Sequence, residues 1–228
     1  MNNIYEIDKN IEKLKRGYNT DFLDFRMKNI VISRLKKDEY KIYYPYKDSE
    51  KVIFYVDDVP DVILYEIKVN AILKHQDIIG TLFSIGILPS MYGDILIINN
   101  HYYIYILKIF KNYLISNLTM IKNKKVSLVE CDINSFKDYQ RKYEIIELVV
   151  SSLRIDSIVA NVAHTNRENA ANKIKNKEIL VNYDYPKNSY TLKENDVFSI
   201  RKFGKYKFMK VKNITKKGNF IAEIYKYC

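Results

Sequence analysis

The sequence predicts a mixed α+β fold class, because segments with helical spacing and segments with strand composition follow one another in groups. Apolar residues recur at helical spacing over residues 4–18 and 22–35. From residue 40 the pattern changes to β-rich runs, and after residue 150 two short helical patterns lead into several short strands. These groups predict small α/β units that follow one another along the chain.

The first predicted unit consists of two helices and three strand runs. Gly17 ends the first helix, and Asp21 is the predicted N-cap of the second. The β-rich runs 40–46, 51–56 and 62–69 are separated by polar segments that favour turns. We therefore expect a small sheet backed by helices.

A second unit is predicted from about residue 74 onward. A helix at 75–85 is closed by Gly86, and two apolar runs on either side of an Asn-Asn pair predict a hairpin. A further helix at 107–117 and a strand at 125–130 complete this unit. Residues 131–139 are polar and without a pattern, so we expect a linker there and a domain boundary near residue 140.

The positive charge is concentrated in the last third of the chain. The whole chain has 38 Lys and Arg against 27 Asp and Glu, a net charge of +11. Residues 151–228 hold 16 of these cations and 7 of the anions, a net charge of +9. This distribution favours a polyanionic partner such as nucleic acid. The apolar runs are short and no signal peptide begins the chain, so a soluble, cytoplasmic protein without membrane contact is expected.

The sequence has no signature of a metal site, a disulfide framework or a bound cofactor. Cys131 and Cys228 lie far apart without a CxxC pattern, so reduced thiols are expected. His75, His101 and His164 have no carboxylate or thiol at metal-ligand spacing. The six glycines never come within five residues of one another, which argues against a Gly-rich cofactor loop.

The most informative segment begins at residue 151. Thr165 and Glu168 form a T-x-x-E pattern, which predicts a capping box at the start of a helix with outward-facing N–H groups. Such an end favours anions, and the guanidinium of Arg167 adds a fork for phosphate. Four polar or basic residues follow at spacings of three to four, namely Asn166, Asn169, Lys173 and Lys177. Residues 201–207 add a basic turn with aromatic residues between the cations.

These residues resemble the S4 RNA-binding domain. The positions that match its pattern are Arg154, Asp156, Arg167, Ala170, Ile174, Val181, Asn182 and Asp196. Two glycines of the pattern are replaced by Lys177 and Asn195. Asn tolerates the left-handed backbone conformation that glycine supplies, whereas Lys adopts it at some cost. Asp156 is interpreted as a structural partner of a nearby arginine or as a negative charge at a helix N-terminus, and not as a catalytic acid.

Four further segments resemble recurrent segments of bacterial YlmH-type proteins, at residues 22–26, 75–82, 86–87 and 93–96. Gln76 stands where that family commonly has Arg. The pattern and the resemblance together predict small α/β, RRM-like units followed by a C-terminal S4 RNA-binding domain (αL motif). The expected parts are an N-terminal α+β domain at 1–72, a central α+β, RNA-binding-like domain at 73–140, and the S4 domain with a C-terminal β-hairpin at 141–228. The resemblance also implies a factor that binds large ribosomal subunits obstructed by peptidyl-tRNA in ribosome-associated quality control.

A non-catalytic RNA-binding protein is therefore expected, with rRNA and tRNA as partners. A tail-synthesising quality-control factor is a further candidate partner, and a monomer is expected. The alternative is an RNA-modifying enzyme of the pseudouridine synthase or rRNA methyltransferase type that uses the S4 domain to bind its substrate. That alternative lacks a cofactor loop, and the Arg154-Ile155-Asp156 segment already fits the S4 pattern.

We expect RNA contacts from residues that combine the motif positions with the local excess of positive charge. They are Arg154, Arg167, Asn169, Lys173, Lys177, Arg201, Lys202, Lys205 and Lys207. No catalytic or metal-binding residue is expected. Replacing both Arg154 and Arg167 by Glu is expected to abolish RNA binding without unfolding the protein.

Overall fold

A computed structural model describes residues 2–227, so Cys228 lies outside the described residues. The chain forms two compact units, residues 1–140 and residues 141–228. Both combine helices with antiparallel strands, in agreement with the mixed class that the sequence predicts. Across the described residues, no helix combines the length and the apolar character needed to span a membrane.

The first unit begins with two helices packed against a two-stranded sheet. The elements are α1 (Asn2–Lys15), α2 (Phe25–Arg34), β1 (Lys41–Tyr43) and β2 (Ile53–Tyr55). The predicted N-cap Asp21 was wrong, because α2 begins later and Asp24 caps it by accepting a hydrogen bond from the Met27 N–H at 2.9 Å. The carboxylate of Asp21 forms an ion pair with Lys13 instead, at 2.7 Å. Asp21 and Asp24 both precede α2, and either carboxylate could cap it. The ion pair with Lys13 of α1 occupies Asp21, and Asp24 caps the helix.

A five-stranded antiparallel sheet forms the larger part of the first unit, with strand order β4-β5-β3-β7-β6. Its elements are β3 (Val62–Val69), α3 (His75–Ser84), β4 (Tyr92–Ile98), β5 (His101–Leu107), α4 (Lys111–Asn117), β6 (Met120–Ile121) and β7 (Lys124–Cys131). The predicted hairpin is confirmed, and both turn residues have positive φ, at 50° for Asn99 and 63° for Asn100. The helix predicted from residue 107 begins with a 3-10 turn and becomes α-helical at Lys111.

The predicted division after residue 72 falls inside this sheet. Strand β3 precedes residue 72, yet it pairs with β5 on one side and with β7 on the other. The change of sequence period at residue 74 therefore marks the start of α3 and not the edge of a compact unit.

The segment 131–139 was predicted as a linker, but it packs onto the first unit. It contains a 3-10 turn at Ile133–Phe136. The ring of Phe136 lies edge-on to Tyr103, with ring centroids 4.6 Å apart, and Tyr139 packs in the same way against Tyr46 at 5.7 Å. The prediction was wrong because isolated aromatic residues in a polar stretch have no periodicity, although each can anchor a segment by burying its ring.

The second unit places two helices on one face of a second five-stranded antiparallel sheet, with strand order β8-β12-β11-β10-β9. Its elements are β8 (Tyr143–Val150), α5 (Ile155–Val162), α6 (Arg167–Lys175), β9 (Ile179–Val181), β10 (Val197–Ile200), β11 (Gly204–Ile214) and β12 (Phe220–Tyr227). The core joins the apolar sides of α5 and α6 to inward residues such as Phe198 and Phe208. Helix α5 is buried over most of its length and packs against both α6 and β8.

Candidate nucleic-acid interface

Helix α6 begins at a different cap from the one that the sequence predicts. Asn166 is the N-cap, and its side chain accepts a hydrogen bond from the Asn169 N–H at 2.8 Å. The predicted Thr165–Glu168 capping box was therefore wrong. Asn is at least as good a cap as Thr, and Thr165 instead accepts a hydrogen bond from the Asn169 side chain at 3.2 Å.

The carboxylate of Asp156, in the first turn of α5, binds two guanidinium groups at once. Arg154 donates to it through Nε at 3.2 Å and Nη2 at 2.9 Å, and Arg167 donates through Nε at 3.2 Å and Nη2 at 3.3 Å. The backbone N–H of Ser157 adds a fifth donor at 2.9 Å. The interpretation of Asp156 as a structural partner of arginine is thus confirmed.

The carboxylate of this cluster is buried, whereas its two arginines are partly exposed to solvent. The side chain of Asp156 is 7% exposed, whereas those of Arg154 and Arg167 are 40% and 52% exposed. Burial by itself raises the pKa of Asp156, but the hydrogen bonds from Arg154 and Arg167 outweigh it and hold that pKa below its ordinary value. The carboxylate is therefore charged at neutral pH, and the cluster carries a net charge of +1. Two preoriented arginines beside a helix N-terminus form a suitable site for an anion.

The C-terminal end of α6 is closed by a turn that has lysine in the left-handed position. Lys177 has φ of 58°, its N–H donates to the Ile174 carbonyl at 3.0 Å, and the Glu178 N–H donates to the Lys173 carbonyl at 2.9 Å. These two bonds form a Schellman motif, in which glycine is the usual residue. Asn195, at the other missing glycine, has φ of 71°. Both positions at which the S4 pattern has glycine therefore have left-handed backbone in this chain.

Two aromatic rings flank the lysines at this end of α6. The Nζ atom of Lys173 lies 5.5 Å from the ring centroid of Phe203, and that of Lys177 lies 5.4 Å from the ring centroid of Tyr185. Both rings are exposed, at 40% and 55%. The turn 201–203 reaches this position because the Arg201 N–H donates to the Glu178 carbonyl at 2.9 Å. We call the set Arg154, Arg167, Asn169, Lys173, Lys177, Arg201 and Lys202 the α6 surface.

The structure separates the two remaining predicted residues from that surface. Lys205 and Lys207 lie on β11, where they alternate with Tyr206 and Phe208, whose side chains are buried in the core beneath the helices. Successive residues of a strand point to opposite faces, so both lysines lie on the face away from α5 and α6. The basic residues between 201 and 207, which are close in sequence, therefore lie on two different surfaces.

Two other positions of the S4 pattern meet in the loops of the second unit. The amide of Asn182 donates to the Asp196 carboxylate at 2.7 Å and accepts from the Val197 N–H at 3.0 Å. The hydroxyl of Tyr190 also donates to Asp196, at 2.9 Å. Burial, followed by this carboxylate, raises the pKa of Tyr190 to about 12. These contacts fix the loop after β9 against the turn before β10.

In the first unit, the Gly93-Asp94 segment has a structural role. The buried carboxylate of Asp94 accepts hydrogen bonds from the hydroxyl of Tyr46 at 2.7 Å and the N–H of Glu50 at 2.8 Å. A Cβ atom on Gly93 would lie 2.9 Å from the ring of Phe22. The segment thus joins β4 to the N-terminal part of the unit.

The N-terminal part covers one face of the first sheet. Leu64, Leu96 and Tyr105 of the sheet are buried together with Phe22 and Tyr46. The central strands of RNA-binding sheets often present aromatic rings to RNA. In this chain the N-terminal part of the same unit covers that face of the sheet. Among the residues that the structure describes, no group of three or more His, Cys, Asp or Glu side chains is arranged to hold a metal ion.

One part of the chain matches a known family model. Residues 61–135 match the family model described as "Putative RNA-binding domain in YlmH". The match begins one residue before β3 and ends in the 3-10 turn after β7, so it covers the five-stranded sheet of the first unit. The resemblance to YlmH-type RNA-binding proteins is therefore confirmed.

Two individual proteins are similar to this chain. Ribosome-associated protein quality control protein P2 from Bacillus subtilis (strain 168) is 28% identical over 149 residues, which cover 65% of this chain and 58% of that protein. The chain thus spans less than two thirds of the length of that relative. The solved structure of the cell division protein ylmH from Streptococcus pneumoniae matches with a TM-score of 0.51 and 20% identity, covering 60% of this chain and 96% of that one. At this identity the likeness shows the fold alone.

Proposed function

We propose that this chain is a non-catalytic RNA-binding protein that contacts rRNA and tRNA on the large ribosomal subunit, in ribosome-associated quality control of stalled peptidyl-tRNA. The observation that carries the proposal is the α6 surface, where two arginines held by Asp156 lie at the starts of α5 and α6, and Lys173 and Lys177 lie in the last turn of α6 and just after it. The name of the Bacillus subtilis relative supports the ribosome as the partner.

In this proposal the second unit is an S4 domain with its C-terminal β-hairpin, and the sheet of the first unit is RRM-like. Two observations support the S4 assignment. The motif residues Arg154, Asp156 and Arg167 form one cluster, and Asn182 contacts Asp196. In the first unit, the succession of β3, α3, β4, β5, α4 and β7 supports the RRM-like assignment.

The chemistry of the α6 surface suits phosphate groups. Arg154 and Arg167 each use Nε and Nη2 on Asp156, which leaves their Nη1 donors for phosphate oxygens. Fixing both side chains before binding lowers the entropy lost when RNA is bound. Phe203 and Tyr185 add exposed apolar rings beside Lys173 and Lys177, where they can contact ribose or an unpaired base.

The protein acts in the cytoplasm as a monomer in this proposal, and a quality-control factor that synthesises the tail is a candidate protein partner. No step requires a cofactor or a metal ion.

The test is co-sedimentation of the purified protein with separated large and small ribosomal subunits across a salt series. The wild type is compared with a Lys173→Gln, Lys177→Gln double variant. We expect binding to the large subunit, and we expect the slope of log K against log salt to fall by about two units in the variant, about one for each lost phosphate contact.

The matched control removes the same charge elsewhere. Lys216 and Lys217 lie in the turn between β11 and β12 and are exposed. A Lys216→Gln, Lys217→Gln double variant has the same net charge as the test variant, so a non-specific effect of charge weakens both equally. Equal binding by the two variants, or no binding to the large subunit by the wild type, contradicts the proposal.

A further inference from the structure

The sheet of the second unit has a face that α5 and α6 do not cover. On β11 and β12 the inward residues Tyr206, Phe208, Ala222 and Ile224 belong to the core. Their neighbours in sequence point to the opposite face. On the edge strand β8, Ile145 and Val149 belong to that opposite face and are 59% and 56% exposed. This face is therefore open to solvent.

Three tyrosines form a cluster at one end of the open face. Tyr143 of β8 is paired with Tyr227 of β12, and their ring centroids lie 5.1 Å apart in an edge-to-face arrangement. Tyr225, two residues before Tyr227 on the same strand, lies 5.4 Å from Tyr143. The three rings are only partly buried. We call this cluster, with the cations described next, the tyrosine face.

Basic side chains surround these rings. The Nζ atom of Lys205 lies 4.9 Å from the ring centroid of Tyr227, and the guanidinium carbon of Arg141 lies 5.9 Å from it. Lys207 is the direct cross-strand partner of Tyr225. The predicted RNA-contact residues Lys205 and Lys207 are thus the cations of this second surface.

The acidic side chains of the open face lie toward its other end. Glu147 and Glu223 are cross-strand partners there, and Lys212 forms ion pairs with both. Lys212 offsets one of these two negative charges, and the two carboxylates lie two residues along the strands from Ile145 and Tyr225. The tyrosine face presents flat rings together with a net positive charge.

We propose that the tyrosine face binds single-stranded RNA by stacking unpaired bases on Tyr225 and Tyr227 while Lys205, Lys207 and Arg141 contact the phosphates. Aromatic rings on an open sheet, interleaved with cations, are the arrangement with which proteins hold single strands. A base-paired helix keeps its bases stacked on one another, so its bases are not available to these rings. The proposal deepens the proposed RNA-binding function and rests on it, with a second contact surface on the opposite face of the sheet from α6.

The test uses the whole chain, residues 1–228, and fluorescence anisotropy with a labelled ten-nucleotide single-stranded RNA and a blunt hairpin RNA. Tyr225→Leu and Tyr227→Leu remove stacking but keep an apolar side chain, and Tyr225→Phe and Tyr227→Phe keep the ring. We expect each Leu variant to bind the single strand roughly 5-fold to 150-fold more weakly, and each Phe variant to bind almost as the wild type does. Hairpin binding should be nearly unchanged in all four.

A second measurement covers the case in which a Leu variant does not fold. Wild-type protein is photocross-linked to the same single strand containing 4-thiouridine, and the modified residues are identified by mass spectrometry. Cross-links at Tyr225 or Tyr227 support the proposal. Cross-links confined to other residues overturn it, as do equal affinities of the Leu and Phe variants or no binding of the single strand by the wild type.

The two RNA proposals fail separately. Co-sedimentation with the large subunit depends on Lys173 and Lys177, whereas the single-strand assay compares rings at Tyr225 and Tyr227 at constant charge. Ring-dependent binding of the single strand without binding to ribosomal subunits would overturn the ribosome assignment and leave the tyrosine face supported. Binding to the large subunit, together with equal single-strand affinities of the Leu and Phe variants, would overturn the tyrosine-face proposal and leave the ribosome assignment supported.

Discussion

Replacing Asp156 by Ala removes the one carboxylate that holds both arginines of the α6 surface. The change deletes four N–H···O contacts from Arg154 and Arg167 and one from the Ser157 N–H. Hydrogen bonds to charged groups contribute about 1.5–3 kcal/mol each, and breaking a buried ion pair costs about 3–5 kcal/mol. Both guanidinium groups are about half exposed and regain water, so we expect a net loss of about 2–3 kcal/mol.

The loss should be confined to the second unit. For a unit of this size it corresponds to a fall in Tm on the order of 10–20 °C. Hydrogen exchange of the whole chain followed by mass spectrometry measures protection in each unit separately. Protection should fall in α5 and β10 but not in β3 or β5. Glu194→Ala, which removes an exposed carboxylate from the same unit, is the control and should have little effect.

The same carboxylate makes the stability of the second unit depend on pH. The pKa of Asp156 is lowered in the folded state, so its stabilising effect is present above its ordinary pKa of 3.8 and is lost as the pH falls through the folded value. The wild type should therefore lose stability more steeply than Asp156→Asn below about pH 4. Unchanged exchange and Tm in Asp156→Ala, or the same acid sensitivity in Asp156→Asn, would refute the reasoning that this ion cluster stabilises the unit.

Two further predictions concern backbone positions. Gly93→Ala should destabilise the first unit by about 1–3 kcal/mol in urea unfolding, because its Cβ would lie 2.9 Å from Phe22 and 3.0 Å from the Cβ of Tyr105. Gly80→Ala, inside α3 with nothing within 4 Å of its Cβ, should stabilise by up to about 1 kcal/mol, and equal effects of the two would contradict this account. Lys177→Gly should raise the stability of the second unit by about 1 kcal/mol by relieving the left-handed backbone. It should also flatten the salt dependence of RNA binding by about one unit, and a stability unchanged by Lys177→Gly would mean that the turn carries no strain.

The structure also changes how the arginines can be tested. Replacing both Arg154 and Arg167 by Glu was expected to leave the protein folded. That change would set two further carboxylates around buried Asp156 with no cation between them, so loss of RNA binding could follow from unfolding. The Lys173 and Lys177 variant leaves the Asp156 cluster intact. Lys177 is exposed, and Lys173, whose side chain is 27% exposed, loses an ion pair with Glu178 at 3.2 Å.

Several features were predictable because they depend on local chemistry. The Asn99-Asn100 hairpin follows from the tolerance of Asn for positive φ. The first residue of a helix was harder to predict where two nearby side chains could each serve as its N-cap. Asp21 and Asp24 compete to cap α2, and Thr165 and Asn166 compete to cap α6.

The tyrosine face was missed for a different reason. With 21 tyrosines in the chain, no single tyrosine stands out in the sequence. Alternation along β12 puts Tyr225 and Tyr227 on one face, but only the pairing of β12 with β8 brings Tyr143 to them. A search for alternating aromatic residues in paired C-terminal strands is the signal that could have found it.

By itself the sequence determined the mixed class, most of the helices and strands, the concentration of positive charge after residue 150 and the resemblance to YlmH-type proteins. These depend on period, composition and short motifs, which are properties of neighbouring residues. Only the tertiary structure decided that residues 1–140 form one compact unit, that one buried carboxylate holds two arginines, and that the basic residues after residue 200 divide between two surfaces. Each of these depends on which strands pair and which faces are buried, and long-range packing sets both.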